Sequence, residues 1–395
     1  MIKKNKWLVL LAIVLLGSVL RTPITGIGAI IGIVKENLHI NNTLAGLITT
    51  IPLVAFALIS PFASKYSNKY GLEKTLFYST IIITVGLLLR FYINVYVLFI
   101  TTFIIGVGIA LGNVLLPAVV KKYYPTKLGI MTGFFSVIMT VTASISAAVS
   151  YPIASSNIFG ETFSLGLALN IWVIVAFCCV VVYYCMSKNN SVSTGKVTNF
   201  EKTNIFRSPK LYTLTMSMGL QSALYYSSVS WFGQIMIDKG FFNAEAGLLL
   251  SVSQFAQFPA TFLMPILADK VKNKLIIPLF IVLSYFISLV GLLYINTNMA
   301  IMVVIMILFA LAGGGSFSYV MYLFSVKTRN ADEASKVSGV AQSGGYVLAA
   351  IFPPLLGYVK DVSNWNSAMY ILVMAAVVLF FAMIHCSREG NIIEN

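Results

Sequence analysis

Apolar stretches long enough to cross a lipid bilayer recur along the whole of this 395-residue chain. A transmembrane helix needs about 20 consecutive, mostly apolar residues. Only 10% of the residues are charged, whereas soluble domains carry about 25%. The pattern predicts an all-α polytopic membrane protein with twelve transmembrane helices joined by short polar loops. The predicted spans are residues 7–33, 43–64, 75–92, 95–119, 129–153, 164–186, 211–237, 244–268, 275–294, 298–324, 335–357 and 367–385.

The basic residues sort to one side of these spans. If the N-terminus is cytoplasmic, 21 of the 26 lysines and arginines face the cytoplasm, and Arg21 lies inside the first span. This bias follows the positive-inside rule, so the net charge of +14 indicates topology and not nucleic-acid binding. We expect a multi-pass protein of a bacterial plasma membrane with both termini in the cytoplasm. The four basic residues assigned to the outer side are Lys35, Arg90, Lys239 and Lys360.

Arg21 is the most unusual residue of the first span. An arginine at the centre of a membrane helix costs roughly 2.5–3.5 kcal/mol on insertion scales. All twelve acidic residues can be assigned to loops or helix ends, so no carboxylate is predicted to pair with Arg21 at mid-depth. Backbone carbonyls and water could satisfy the guanidinium, with Pro23 freeing the carbonyl of Val19. The favoured interpretation is that Arg21 pairs with an anionic or strongly dipolar substrate.

Further polar residues are predicted at depth in other spans. Gln221 and Tyr225 are four residues apart, so they share one face of the seventh span. Amide and phenol groups suit a mostly apolar binding site with a few directed donors. Hydrogen bonding between helices is the alternative role for such residues. With Arg21, the candidate substrate-binding residues are Thr25, Asn113, Gln221, Tyr225, Gln254, Gln342 and Tyr346.

The longest polar segment, residues 187–210, divides the chain into halves of six spans each, 1–186 and 211–395. It is interpreted as a cytoplasmic linker. A shift of 201 residues places "NNTLAGLITT" on "FNAEAGLLLS", and the same shift, without a gap, places Asn68-Lys69 on Asp269-Lys270. Parallel repeats of this kind build the two halves of major facilitator transporters.

The loop "SKYSNKYGLEK" and its second copy "PILADKVKNK" resemble the loop motif of the major facilitator superfamily. The stretches "LRTPITGIGAI", "GIALGNVLLPAVVK" and "VAQSGGYVLAAIFPPLLG" are similar to the cyanate permease and 2-nitroimidazole transporter family. The resemblance implies a substrate path between two six-helix bundles, alternating access, and a small polar or anionic solute. It also implies a conformational role for the loop residues Asn68, Lys69, Gly71, Asp269 and Lys270.

Other function classes fit the sequence less well. No Ser–His–Asp set, phosphate-binding loop or metal-ligand spacing is present, so we predict no enzyme activity, cofactor or metal. A drug or multisubstrate exporter of the same fold is the main alternative, but it leaves Arg21 without a clear role. A polytopic membrane enzyme or receptor is a more distant one. The expected partners are the lipid bilayer and a small-molecule substrate, bound by a monomer.

Overall fold

The computed structural model describes residues 6–40, 42–156, 160–188, 205–295, 298–388 and 390–392. Within these ranges the chain forms fifteen α-helices, one short 3-10 helix and no β-strand. The predicted all-α fold class is therefore confirmed. Residues 189–204, most of the predicted linker, lie outside the described residues.

The first half of the chain contains nine helices among its described residues. They are α1 (Lys6–Val19), α2 (Thr22–Ala29), α3 (Ile31–Leu38), α4 (Asn42–Tyr70), α5 (Leu72–Leu89), α6 (Val95–Tyr123), α7 (Leu128–Ser155), α8 (Glu161–Asn170) and α9 (Val173–Lys188).

The second half begins with the 3-10 helix and continues with longer helices. The 3-10 helix is Ile205–Arg207, followed by α10 (Pro209–Asp238), α11 (Asn243–Lys270), α12 (Ile276–Tyr294), α13 (Met299–Val326), α14 (Ala331–Val362) and α15 (Trp365–Ser387).

Ten helical segments of the described chain are long and apolar enough to cross a membrane. They correspond to ten of the twelve predicted spans. The second and seventh predicted spans correspond to α4 and α10, which have 29 and 30 residues but are not among the ten. Both helices are therefore long enough to cross a membrane. Serine, threonine, tyrosine and glutamine side chains lower the hydropathy of α10.

The first and sixth spans are not single helices, contrary to their prediction as continuous stretches. The first is divided into α1, α2 and α3, with breaks at Leu20–Arg21 and at Ile30. Pro23 stands just after the first break and has no N–H to continue the ladder of α1. The sixth is interrupted between Asn170 and Val173. Hydropathy shows that a segment is apolar, but it does not reveal an interruption inside it.

The chain forms two compact units. The first contains Met1–Tyr123, Phe135–Thr203 and Asn330–Gly339, and the second contains the rest. In the first unit α4 and α5 both pack on α6. There α5 and α6 lie so close that the Ser79 hydroxyl donates to the carbonyl of Gly108 at 2.7 Å. In the second unit α13 packs on α11 and α12, and α10 packs on α15.

Candidate functional site

Arg21 lies in the break between α1 and α2, and its side chain is half-buried. Its own carbonyl accepts hydrogen bonds from the backbone N–H of Thr25 at 3.0 Å and from the Thr25 hydroxyl at 3.2 Å. The first turn of α2 therefore closes directly on Arg21. A helix N-terminus carries a partial positive charge, and Arg21 is the residue that directly precedes α2.

Hydroxyl groups bond two backbone carbonyls on either side of this break. The carbonyl of Ser18 accepts from the Thr22 hydroxyl at 3.0 Å and from the Thr142 hydroxyl at 3.4 Å. The carbonyl of Thr22 accepts from the Ser146 hydroxyl at 2.9 Å. Because no water is available in the bilayer core, freed carbonyls of a broken membrane helix need such internal donors. The break is thus held by neighbouring side chains.

Gly26 allows α2 to lie against α7 at this level. A Cβ at Gly26 would come within 2.8 Å of the Ser146 hydroxyl oxygen and 2.9 Å of the Ser150 hydroxyl oxygen. Both hydroxyls donate to backbone carbonyls, those of Thr22 and Ser146. Their positions are therefore fixed, and only a residue without a side chain fits between them.

Three of the predicted substrate-binding residues belong to the first unit: Arg21, Thr25 and Asn113. Asn113 is buried in α6, with 7% of its surface exposed. The Thr25 hydroxyl bonds to its own helix, as described above. Arg21 therefore brings the only charged group among these three.

The other five predicted residues belong to the second unit: Gln221 and Tyr225 on α10, Gln254 on α11, and Gln342 and Tyr346 on α14. Gln342 and Tyr346 are buried, while Tyr225 and Gln254 are half-buried. The Gln254 carbonyl oxygen accepts from the side-chain amide of Gln257 at 2.7 Å. The two residues are three positions apart, so they share one face of α11.

Gln221 is bonded within its own helix. Its side-chain nitrogen donates to the Met218 carbonyl at 3.1 Å and to the Ser222 hydroxyl at 2.6 Å. Only 2% of the residue is exposed. The amide donors of Gln221 are therefore occupied by α10 itself in this structure. This geometry fits a packing role better than substrate contact.

The first loop motif surrounds a sharp turn between α4 and α5. Asn68 and Lys69 are exposed, and the Lys69 ammonium lies 5.0 Å from the ring centre of Tyr70. Gly71, the residue before α5, has φ +89°, a conformation that glycine adopts without strain. The predicted glycine of the motif is thus required by the backbone.

Its second copy is bonded differently. Asp269 and Lys270 are both exposed at the end of α11. The Tyr322 hydroxyl of α13 donates to the Asp269 carboxylate at 3.0 Å. Tyr322 also stacks on Tyr319, whose hydroxyl is 2.7 Å from the Ser387 hydroxyl. Sequence reasoning did not connect these tyrosines with Asp269, because the pairing joins residues about fifty positions apart.

The first copy has an ion pair nearby instead. Glu73, near the start of α5, is buried and accepts from the Lys122 ammonium at 2.6 Å and from the Tyr123 hydroxyl. The pairing of Glu73 with the end of α6 was not predicted, because Lys122 lies about fifty positions further along the chain.

Arg90 is the main functional candidate that sequence reasoning missed. It was assigned to the outer side and follows the last residue of α5, but its burial was not predicted: only 1% of the residue is exposed. Its guanidinium bonds to α2 and α8 within the first unit. The signal was present in the sequence, because Arg90 is followed by the apolar residues Phe91 and Tyr92 and falls inside the predicted third span.

Groups of three or more histidine, cysteine, aspartate or glutamate residues that could hold a metal are absent from the part of the chain that the structure describes. The geometry is that of a helical membrane protein with polar residues and one half-buried arginine at helix breaks. A guanidinium at such a break can form charge-assisted hydrogen bonds with an anion.

Comparison with known proteins agrees with this description. The sequence profile described as Major Facilitator Superfamily matches residues 11–347 and 223–390. The uncharacterized transporter YycB of Bacillus subtilis is 34% identical over 390 residues, which is 98% of this chain and 95% of that protein. The 2-nitroimidazole transporter of Escherichia coli is 30% identical over 382 residues, or 96% of this chain and 95% of that protein.

The fold is also found among solved structures. The proton:xylose symporter XylE, bound to 6-bromo-6-deoxy-D-glucose, superposes with a TM-score of 0.79 at 15% identity, covering 98% of both chains. At this identity the likeness concerns the fold alone. The family match and the transporter relatives identify a multi-pass membrane transporter and not an enzyme. This chain belongs to the major facilitator superfamily.

Proposed function

We propose that this protein is a secondary transporter of a small anion, which it carries by alternating access with Arg21 as the anion-binding residue. The observation that carries the proposal is the break of the first span at Arg21. It brings a permanent cation and the N-terminus of α2 to one point of the chain. Broken helices whose N-termini point to anionic substrate groups are a recurring way to bind such groups in transporters.

The chemistry of the guanidinium favours a small planar or linear anion. Arginine offers five N–H donors in a fixed fork, so it can bond two acceptor atoms of one anion at once. Hydroxyl groups already bond the carbonyls of Ser18 and Thr22 at the break. These bonds support the geometry of the site without adding a negative charge to it. Cyanate, azide and nitrate are anions of suitable size.

A compact nitrogen heterocycle is the second candidate, because the 30% identical relative is named for 2-nitroimidazole. A nitro group presents two partly negative oxygens that an arginine fork could also bond. Tyr225 and Tyr226, whose rings meet edge to face at 5.4 Å, offer apolar surface of the kind a heterocycle needs. A multisubstrate exporter would depend on such aromatic surface and not on Arg21.

We infer that the protein resides in a bacterial plasma membrane as a monomer, with both termini in the cytoplasm. The bias of basic residues toward one side of the spans supports this orientation. The loop residues Asn68, Lys69, Gly71, Asp269 and Lys270 are proposed to act in the conformational change. The bond between Tyr322 and Asp269 supports a structured role for the second copy.

The test is a ligand screen on the purified protein by thermal unfolding, using cyanate, azide, nitrate and 2-nitroimidazole. A ligand at 100 times its Kd adds about 2.7 kcal/mol to the stability of the folded state. Hydrogen bonds to a charged group contribute about 1.5–3 kcal/mol. We therefore expect Arg21→Gln to weaken anion binding by about 10- to 150-fold.

The matched control is Gln221→Leu, since the Gln221 amide is bonded within its own helix. This variant should keep the anion affinity within a few-fold of wild type. Stabilisation by 2-nitroimidazole alone, retained in Arg21→Gln, would favour the second candidate. An undiminished shift with the anions in Arg21→Gln would contradict the proposed role of Arg21.

A further inference from the structure

Arg90 is the largest fully buried side chain of the described residues. It follows the last residue of α5, and all three of its nitrogen atoms donate hydrogen bonds. Nε donates to the side-chain oxygen of Asn170 at 3.1 Å, and one terminal nitrogen donates to the carbonyl of Pro23 at 3.3 Å. The other terminal nitrogen donates to the carbonyl of Leu169. All of these acceptors are neutral oxygens.

These acceptors lie at two helix breaks. Leu169 and Asn170 are the last residues of α8, before the chain resumes as α9 at Val173. Carbonyls in the last turn of a helix have no donor from their own helix. Pro23 is the second residue of α2, just after the break that holds Arg21. The Arg90 side chain therefore joins the end of α8, where the sixth span is interrupted, to the start of α2, where the first span is interrupted.

The donors of Arg90 are already used, since each of its three nitrogens bonds a protein oxygen. The space beside it is lined mainly by apolar side chains, such as those of Val34, Leu98 and Leu165, together with Asn94. Arginine remains protonated in proteins, so the buried charge is stabilised by carbonyl and amide dipoles in this structure. Burying a charge raises the free energy of the folded state unless hydrogen bonds of good geometry compensate for the lost water. The bonds of Arg90 therefore indicate a fixed structural geometry and not a second anion site.

Lysine could not make the same set of bonds. Its single ammonium has three donors at one point, whereas the guanidinium spreads its donors over a planar fork. The acceptors of Arg90 belong to different helices, α2 and α8. A planar fork can reach both helices at once. The residue type thus matches the task of joining them.

We propose that Arg90 is a positioning residue, which holds α2 against α8 and thereby fixes the break at which Arg21 lies. The expected effect of Arg90 on anion binding rests on the proposed function of Arg21. The expected effect of Arg90 on the position of α2 is independent of that function. The two effects can therefore be measured separately.

The position of α2 is tested by thiol accessibility. Thr22, the first residue of α2, is completely buried, so a thiol introduced by Thr22→Cys should react slowly in a protein whose four native cysteines are replaced by alanine. We expect Arg90→Gln to speed its modification at least tenfold, and Arg90→Lys to do so by a smaller factor. A second reporter, Ala118→Cys in the buried C-terminal part of α6, should stay protected in both.

The control for the loss of a cation that bonds a helix end is the half-buried Lys239, changed by Lys239→Gln in the second unit. The Lys239 ammonium also donates to a carbonyl at a helix end, that of Ile295, at 3.2 Å. This variant should leave the thiol at position 22 as protected as in the parent. If Arg90→Gln does not fold, Asn170→Ala removes one acceptor of the same cluster and should accelerate modification at least threefold.

Anion binding is then measured with azide, which is inert toward thiols. Arg90→Gln should weaken azide binding at least fivefold, with partial recovery in Arg90→Lys. Unchanged protection of the thiol at position 22 in Arg90→Gln, or equal exposure of the thiol at position 118, would overturn the positioning role. Absence of azide binding in the parent protein would instead count against the proposed function, while the thiol rates would still decide the role of Arg90.

Discussion

The first and seventh spans occupy equivalent places in the two halves of the sequence, but they fold differently. The seventh is the single helix α10, which runs unbroken for 30 residues. The first is divided into α1, α2 and α3 over a similar length. Under the shift of 201 residues, Arg21 corresponds to Ser222, Pro23 to Leu224, and Gly26 to Ser227. Every one of these differences lies at or near the break.

The comparison shows what a broken helix needs within a membrane. Carbonyls that lose their helical donors have to find others inside the protein. Here the hydroxyls of Thr22 and Thr142 donate to the carbonyl of Ser18 at the end of α1, while Ser146 and Arg90 add bonds to carbonyls in the first turn of α2. In α10 the polar group at the corresponding depth, Gln221, bonds to its own helix. In the first half, polar side chains therefore stabilise the break at which Arg21 lies. In the second half, the corresponding helix α10 is continuous.

The largest difference between the two spans is expected in the stability of two alanine variants. One replaces Gly26 in the first span, and the other replaces Ser227 at the equivalent position of the seventh. Gly26→Ala forces the hydroxyls of Ser146 and Ser150 from their places, and overpacking of this kind costs about 1–3 kcal/mol. The Ser227 hydroxyl is buried, and within the described residues it has no hydrogen-bond partner. Ser227→Ala removes an unsatisfied polar group, so stability should stay within about 1 kcal/mol of wild type, on the stabilising side.

Melting temperatures of the two purified variants measure this difference. Gly26→Ala should melt below wild type, and Ser227→Ala at or above it. Equal losses in both would mean that the close packing of α2 at Gly26 has no special importance. The contrast between the two spans would then need another explanation.

A smaller effect is expected from removing the proline at the break. Pro23→Ala restores an N–H that can donate to the carbonyl of Val19, so α1 and α2 can partly rejoin. Arg21 would then lose the adjacent helix N-terminus, whose interaction with a bound anion is typically worth roughly 0.3–1 kcal/mol. Azide affinity should fall by about 2- to 5-fold. Titration with azide, followed by thermal unfolding, measures the change.

The control for this substitution is Pro259→Ala, which removes an exposed proline from the interior of the continuous helix α11. Its azide affinity should equal that of wild type. If Pro23→Ala also binds azide with wild-type affinity, the N-terminus of α2 does not contribute to the site.

Apolar periodicity and charge bias were enough to predict an all-α membrane protein, because each span must satisfy its own backbone in lipid. The motif glycine Gly71 was also predictable, since its turn needs a positive φ. The breaks at Arg21 and Asn170 were not, because an interrupted span is as apolar as a continuous one. The burial of Arg90 was not predicted either, since its partners in α2 and α8 are fixed only by tertiary packing.

Anion uptake by reconstituted protein tests the central claim most directly. Proteoliposomes loaded with unlabelled anion would be diluted into the labelled form of whichever of cyanate, azide or nitrate stabilises the protein most, and the initial rate of exchange recorded. Wild type and Gln221→Leu should exchange the anion, Arg21→Lys should do so weakly, and Arg21→Gln should be slower than wild type by about tenfold or more. Exchange by Arg21→Gln at the wild-type rate would contradict the assignment of Arg21 as the anion-binding residue.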